Sequence, residues 1–324
     1  MRVAFLLEAP NIRGSGVASY DYAHFNEEIL QNESLFICNR AHEQEFHPLG
    51  QKRLEDRFCV VYLNDITSLD EALRRERVDF MYTIRTGHLE PGIPKDCPCG
   101  IHVMFQHYTP HGTVYAYVSQ WLSLQAKQAL GVDVPYVPHM VYGTQNARRG
   151  LRRRLGIPRE AVVFGRYGGF TQFDLALAQQ AVIEVLKKSE QHYFLFMNTK
   201  KFYEHPRIIY LPPTTEPNHK CTFIQACDAM LHARRLGESF GMSIAEFLYQ
   251  GKPVIAWHLG NDLNHVFMLK EHGLFYQTKN ELVSLLLGFD RTKHSKELYQ
   301  GIVEPFSPER VMERFNQVFL QPIS

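Results

Sequence analysis

Short apolar runs alternate with amphipathic helical stretches along this chain, and the alternation runs through twice. In the first half, VAFLL, LFIC, VVYL, VDFMYTI, IHVMFQ, VYAYVS and VPYVP read as strands buried on both faces. Between them lie a Gly-rich turn, NIRGSG, a helix expected from about Val17 to Leu30, and the helix ITSLDEALRRE. In that last helix acids come early and bases late, as the helix dipole favours. Strands separated by helices need crossovers, so the pattern predicts an α/β fold with a mostly parallel sheet covered on both sides. The series restarts near residue 150, where RRGLRRRLGIP is followed by AVVFGRY, DLALAQQAVIEVLKKS, YFLFMN, RIIYL, FIQACDAMLHA and PVIAW. Two doubly wound domains are therefore expected, at 1–147 and 148–305, followed by a terminal helix in 306–324. Ser307 is its expected N-cap and Pro308 stands in its first turn.

Composition removes several function classes. The net charge is +1 over 324 residues, so no basic field points to nucleic acid. The opening apolar run is cut by Glu8, too early for a signal peptide, and no run is long enough to span a bilayer. Six scattered cysteines include no CxxC pair. Cys97 and Cys99 lack a second Cys/His pair at ligand spacing, so free thiols in a reducing cytoplasm are expected and no metal site. The basic run at 148–154 reads as a solvated helix and linker, with peripheral membrane contact left open.

Ligands of doubly wound sheets bind beyond the carboxyl ends of the strands, and for two facing domains that means an interdomain cleft. The unusual stretch at such a junction is GESFGMSIAEF, Gly237 to Phe247, followed at once by the strand PVIAW. Ser239 is the expected N-cap of a helix from about Phe240 to Gln250, with Gly251 as its stop. A helix start offers free N–H groups and partial positive charge, which suit a phosphate, and Gly241 admits close approach. Glu246 lies five residues on, roughly 7–8 Å along the axis at 1.5 Å per residue. That matches the distance from a diphosphate to the ribose of a nucleotide, whose hydroxyls a carboxylate can accept. Glu238 precedes the helix, on the side where a sugar attached to the diphosphate would sit.

GESFGMSIAEFLYQGKPVIAW resembles the E-x7-E region of the group 1 (family 4) retaining glycosyltransferases of GT-B fold. LRRRLGIPREAVVFGRYGGF is similar to their linker and first donor-domain strand, VASYDYAHFNEEIL to their first helix, and VYAYVSQWLS with VPYVPHMV to the end of their first domain. The closing helix resembles the one that crosses back to that domain. The resemblance covers nearly the whole chain and is most specific in the second half. It implies a GT-B architecture of two Rossmann-like domains facing each other across a cleft. It assigns Glu238 to the donor sugar hydroxyls, Glu246 to the ribose, and Phe240, Gly241 and Met242 to the diphosphate. Arg166 would neutralise the leaving group with Gly165 beside it in the donor site, and Gly14, Ser15 and Gly16 would approach it from the first domain. His107 would lie near the donor sugar and acceptor.

The family usually carries a lysine a few residues after this arginine, and GRYGGFTQFDL has none. Lys200, Lys201, Arg234, Arg235 or Thr171 are the candidates to replace it, and His232 and His258 are further candidates for donor contacts. The implied activity is retaining transfer of a sugar from a nucleoside-diphosphate sugar to a hydroxyl of a glycan, lipid or small molecule. No metal or other cofactor is implied. Three alternatives stay open: an inert sugar-nucleotide-binding module, a sugar-nucleotide epimerase of the same fold, and an NAD-dependent oxidoreductase using GSGVAS. The base, sugar and acceptor leave no trace in the sequence.

Overall fold

The structure, a computed structural model, describes residues 1–143 and 150–323. The expected domain boundary at 147 and part of the basic run fall in 144–149, outside the described residues. The chain divides into two compact units, Met1–Met140 with Phe306–Ser324, and Val141–Pro305.

Unit 1 begins with β1 (Arg2–Leu7), α1 (Gly14–Glu28), β2 (Glu33–Asn39), α2 (Pro48–Glu55) and β3 (Cys59–Leu63). It continues with α3 (Leu69–Arg75), β4 (Phe80–Arg85), β5 (Cys99–Val103), β6 (Val114–Tyr117) and α4 (Gln120–Leu130). The six strands are parallel in the order β3-β2-β1-β4-β5-β6. Val3, Ala4 and Phe5 of β1 are fully buried, as expected of a central strand covered on both faces. VPYVP does not form a strand. Pro135 and Pro138 lack the N–H a ladder needs, and only a single bridge joins Tyr117 to Tyr136.

Unit 2 contains α5 (Leu151–Arg154), β7 (Val162–Tyr167), α6 (Ala176–Lys188), β8 (His192–Met197), β9 (Ile208–Leu211), α7 (Pro217–Ala226) and β10 (Ala229–His232). Then follow β11 (Gly237–Glu238), α8 (Met242–Tyr249), β12 (Val254–Trp257), β13 (Asp262–Leu263), α9 (Asn264–Leu269), β14 (Leu274–Tyr276), α10 (Lys279–Leu287) and α11 (Lys296–Val303). Its main sheet is also six-stranded and parallel, in the order β14-β12-β10-β7-β8-β9, and β11 pairs with β13 alone. One core packs Phe164, Phe194 and Phe196 of β7 and β8 against Ala178, Val182 and Val185 of α6.

The closing segment belongs to unit 1. Helix α12 (Pro308–Phe315) buries Val311, Met312 and Phe315, and Phe319 follows in the next turn. Ser307 makes no capping hydrogen bond, so Pro308 alone marks the start. The rings of Phe315 and Phe319 pack 5.2 and 5.4 Å from Tyr82, and Phe315 stacks on Tyr22. Gly100 of β5 makes room for them, since a Cβ there would lie 2.6 Å from Phe319 and 2.8 Å from Phe80. Gly100→Val is therefore expected to cost unit 1 about 1–3 kcal/mol through overpacking. Urea denaturation midpoints of the two proteins check this, and an unchanged midpoint would contradict the packing.

Candidate functional site

Both sheets reverse their strand order beside the first strand of their unit. In unit 2 the reversal lies between β7 and β10, with β8 and β9 on one side and β12 and β14 on the other. Helices leaving such a pair diverge, which opens a crevice at the strands' carboxyl ends. Arg166 stands at the end of β7 and His232 at the end of β10.

Arg166 is 5% exposed. Its Nη1 donates to Thr199 Oγ1 at 2.6 Å and to Asn198 O at 3.4 Å, and its Nη2 donates to Gly169 O at 2.9 Å. A guanidinium has five donors. These bonds use three and leave Nε and one Nη2 hydrogen for another partner. Burial pulls its pKa down to about 10, with Glu238 and Asp174 acting against that shift, so the group is charged at neutral pH. Gly165, before it, fills a different need. A Cβ there would collide with Cys227 Sγ and come within 3.3 Å of Phe247.

Glu238 lies in β11, one residue after a glycine with no alternative. Gly237 has φ +75°, and a Cβ there would collide with Asp262 O. Glu238 Oε2 accepts from Arg234 Nη1 at 2.8 Å, and Oε1 lies 3.4 Å from His232 Nε2. Burial alone would raise its pKa. The close approach of His232 and the charge of Arg234 overcome that and hold the carboxyl down at about 2. Behind them His265 is fully buried, with Nε2 bonded to Trp257 O at 2.7 Å and its ring 4.7 Å from that of His232. That carbonyl can only accept, so the proton sits on Nε2. Burial pushes the His265 pKa down to about 3, so it stays neutral.

The helix after Glu238 starts later than the sequence suggested. Its N-cap is Gly241, at φ +96°, and its first residue is Met242. Ser239 caps nothing. The left-handed turn at Gly241 delays the helix by two residues and leaves Ser239 outside its first turn. No side chain caps the end, and among the described residues no protein acceptor meets the N–H groups of Met242, Ser243 and Ile244. Phe240 is a core residue at 3% exposure, and its carbonyl is held by Asn264 Nδ2 at 2.7 Å. Five residues into α8, Glu246 forms an ion pair with Lys220 of α7.

The remaining predicted residues lie in unit 1. Gly14, Ser15 and Gly16 are not a turn before α1 but its first turn. Gly16 packs onto Asn11, where a Cβ would meet Asn11 O and Oδ1 at 2.6 Å. The helix has no side-chain cap, and its first three N–H groups face no protein acceptor among the described residues. His107 is exposed beyond β5. Its ring lies 3.8 Å from that of His88, tilted by 33°, and its carbonyl accepts from the hydroxyls of Tyr115 and Tyr117.

Of the candidates for the missing lysine, Arg234 is the one beside Glu238, and its charge also bears on Arg166. Lys200, Lys201, Arg235 and Thr171 are exposed. His258 bonds Gln277 instead. Lys220 and His265 carried no sequence signal, because Lys220 meets Glu246, and His265 meets His232, only through the fold. Among the described residues no cluster of three or more His, Cys, Asp or Glu side chains could hold a metal ion. Among the described residues no helix is long and apolar enough to cross a membrane.

No family model matches the sequence, and a search of curated protein sequences gives no significant match. Solved structures do match over the full length. The chain is similar to HepE of Anabaena in complex with UDP-glucose, at 15% identity and a TM-score of 0.69, covering 98% of each chain. It is similar to sucrose-phosphate synthase from Thermosynechococcus elongatus, at 11% identity and a TM-score of 0.72, covering 99% of each. It is also similar to a protein of Listeria monocytogenes described as a UDP-N-acetylglucosamine 2-epimerase, at 12% identity and a TM-score of 0.64, covering 97% of this chain and 94% of the other. With its two parallel six-stranded sheets, the chain shares the α/β fold of the GT-B glycosyltransferases.

Proposed function

We propose that the protein is a retaining glycosyltransferase that moves a sugar from a nucleoside-diphosphate donor to an acceptor hydroxyl. One observation carries the reading. Arg166, Arg234 and Glu238 converge at the carboxyl ends of β7 and β10, with the uncapped start of α8 following Glu238. Buried cations and free N–H groups stabilise a departing diphosphate, while an ionised carboxylate accepts from sugar hydroxyls. Glu246 then lies one and a half turns along the helix, at the distance of the ribose. In this reading Gly14, Ser15 and Gly16 keep their assignment to the diphosphate, and His107 its assignment to the donor sugar and acceptor. The same reading adopts the E-x7-E family, a glycan, lipid or small-molecule acceptor and a cytoplasmic setting, which the six free thiols fit.

The test is a thermal-shift screen over UDP, GDP, ADP and their sugars. At a hundredfold excess over Kd, a bound donor adds about 2.7 kcal/mol, a rise of roughly 5–10 °C for units of this size. Glu246→Ala is expected to abolish most of that rise. An unchanged rise would remove the ribose assignment.

The epimerase is the second reading, favoured by the fold shared with the Listeria protein. Incubation with donor alone separates the two. An epimerised sugar appearing without acceptor supports the epimerase, and glycosylated product formed only with acceptor supports transfer.

A further inference from the structure

Glu246 does not stand alone. Lys220 of α7 pairs with its Oε1, and the two side chains are only 23% and 16% exposed. The Lys220 ammonium also lies 5.7 Å from the centre of the Tyr167 ring. Tyr167 follows Arg166 at the end of β7, and its ring stacks 6.0 Å from that of Phe247, the neighbour of Glu246. Its hydroxyl is buried without a hydrogen-bond partner. A buried, unmatched hydroxyl is costly and uncommon in a folded protein, and a polar ligand atom would satisfy it.

The three groups complement one another. A carboxylate only accepts, so alone it serves the hydrogens of a diol and leaves the hydroxyl oxygens unserved. An ammonium has three donors and a phenol one, and both can serve those oxygens. An ordinary ion pair between α7 and α8 would account for Lys220 and Glu246 but not for the Tyr167 hydroxyl.

We infer that Lys220 and Tyr167 complete the Glu246 subsite by donating to the oxygens of a vicinal diol, so that it selects nucleotides with both ribose hydroxyls free. This rests on the reading of Glu246 as the ribose-binding acid and adds specificity to it.

The experiment measures calorimetric affinities of the full chain for UDP, GDP and ADP, and for the 2′-deoxy form of whichever binds tightest. The wild type is expected to prefer the ribonucleotide by about tenfold or more. Lys220→Met is expected to erase most of that preference, Lys220→Arg to keep part of it, and Tyr167→Phe to narrow it several-fold. Tyr167→Phe removes one oxygen and keeps the ring packing, so it remains informative should Lys220→Met fail to fold. If Glu246→Gln loses the preference while folded Lys220→Met and Tyr167→Phe keep it in full, the inference is overturned and the ribose reading stands. If Glu246→Gln keeps it, or no nucleotide binds, the ribose reading itself falls.

Discussion

Arg166→Ala is expected to lower sugar transfer by about 10²–10³-fold, the effect of removing one preorganised group from developing negative charge. The leaving diphosphate gains charge as the glycosidic bond breaks, and a cation already fixed in place needs no reorganisation at that moment. Arg166 has that preparation. Thr199, Asn198 and Gly169 hold its guanidinium on one side, and Nε and one Nη2 hydrogen remain for a ligand. Arg234 cannot take over the task, because Glu238 already engages it at 2.8 Å. Removing Arg166 strips Asn198 O and Gly169 O of a donor, so part of the loss could come from the fold. Arg166→Lys controls for this. It keeps the charge but not the fork of donors, and activity between that of alanine and wild type is expected. Turnover of the donor found in the thermal screen is the readout. A folded Arg166→Ala protein with wild-type turnover would exclude the assigned role.

The strands that carry Arg166 and His232 were legible because parallel strands buried on both faces appear as unbroken apolar runs. The parallel, doubly wound character of the two sheets followed from the βαβ alternation, but their strand order did not. VPYVP misled for the same reason: it is apolar, but its prolines decide against a ladder. The ends of the functional helices were harder to place. Ser239 has a favoured capping chemistry, yet the cap position is set by backbone angles, and Gly241 at φ +96° puts it two residues later. Gly14 to Gly16 looked like a turn because glycines usually break helices. Here Gly16 lies inside α1, where close packing on Asn11 leaves no room for a side chain. The partners of the two glutamates were the least visible. Lys220 is 26 residues from Glu246, and no periodicity links them. His265 follows a different strand from His232, so only the sheet order brings the rings to 4.7 Å.

Acidification from pH 7 to pH 5 is expected to destabilise both units through their buried histidines. His102 is buried in unit 1 with Nε2 facing two carbonyls, Tyr117 O at 3.2 Å and Val137 O at 2.8 Å. The proton must sit there, so Nδ1 accepts from the Tyr82 hydroxyl at 2.5 Å and has no room for a second proton. Burial pushes its pKa from 6.5 down to about 4. His139, its ring 5.6 Å away, is pushed well below 6.5 by burial and by His102 itself. In unit 2, His265 is pushed to about 3. All three folded-state values lie below the unfolded one. Between them the unfolded chain binds more protons, so stability rises with pH, and falls as pH drops below 6.5. His102 and His265 each contribute a slope of about 1.4 kcal/mol per pH unit, or about 2 kcal/mol by pH 5. His139 adds to the loss in unit 1, and His192, His205 and His294, each pushed below 6.5 first by burial, add to that in unit 2. The two tryptophans make the units separable, since Trp121 belongs to unit 1 and Trp257 to unit 2. Urea titrations at both pH values, followed by fluorescence of Trp121→Phe and Trp257→Phe proteins, read each unit in turn. Adding His102→Gln should reduce the pH dependence of unit 1 and leave that of unit 2 intact. Equal unfolding free energies at pH 5 and pH 7 would show that these imidazoles take up protons in the folded protein.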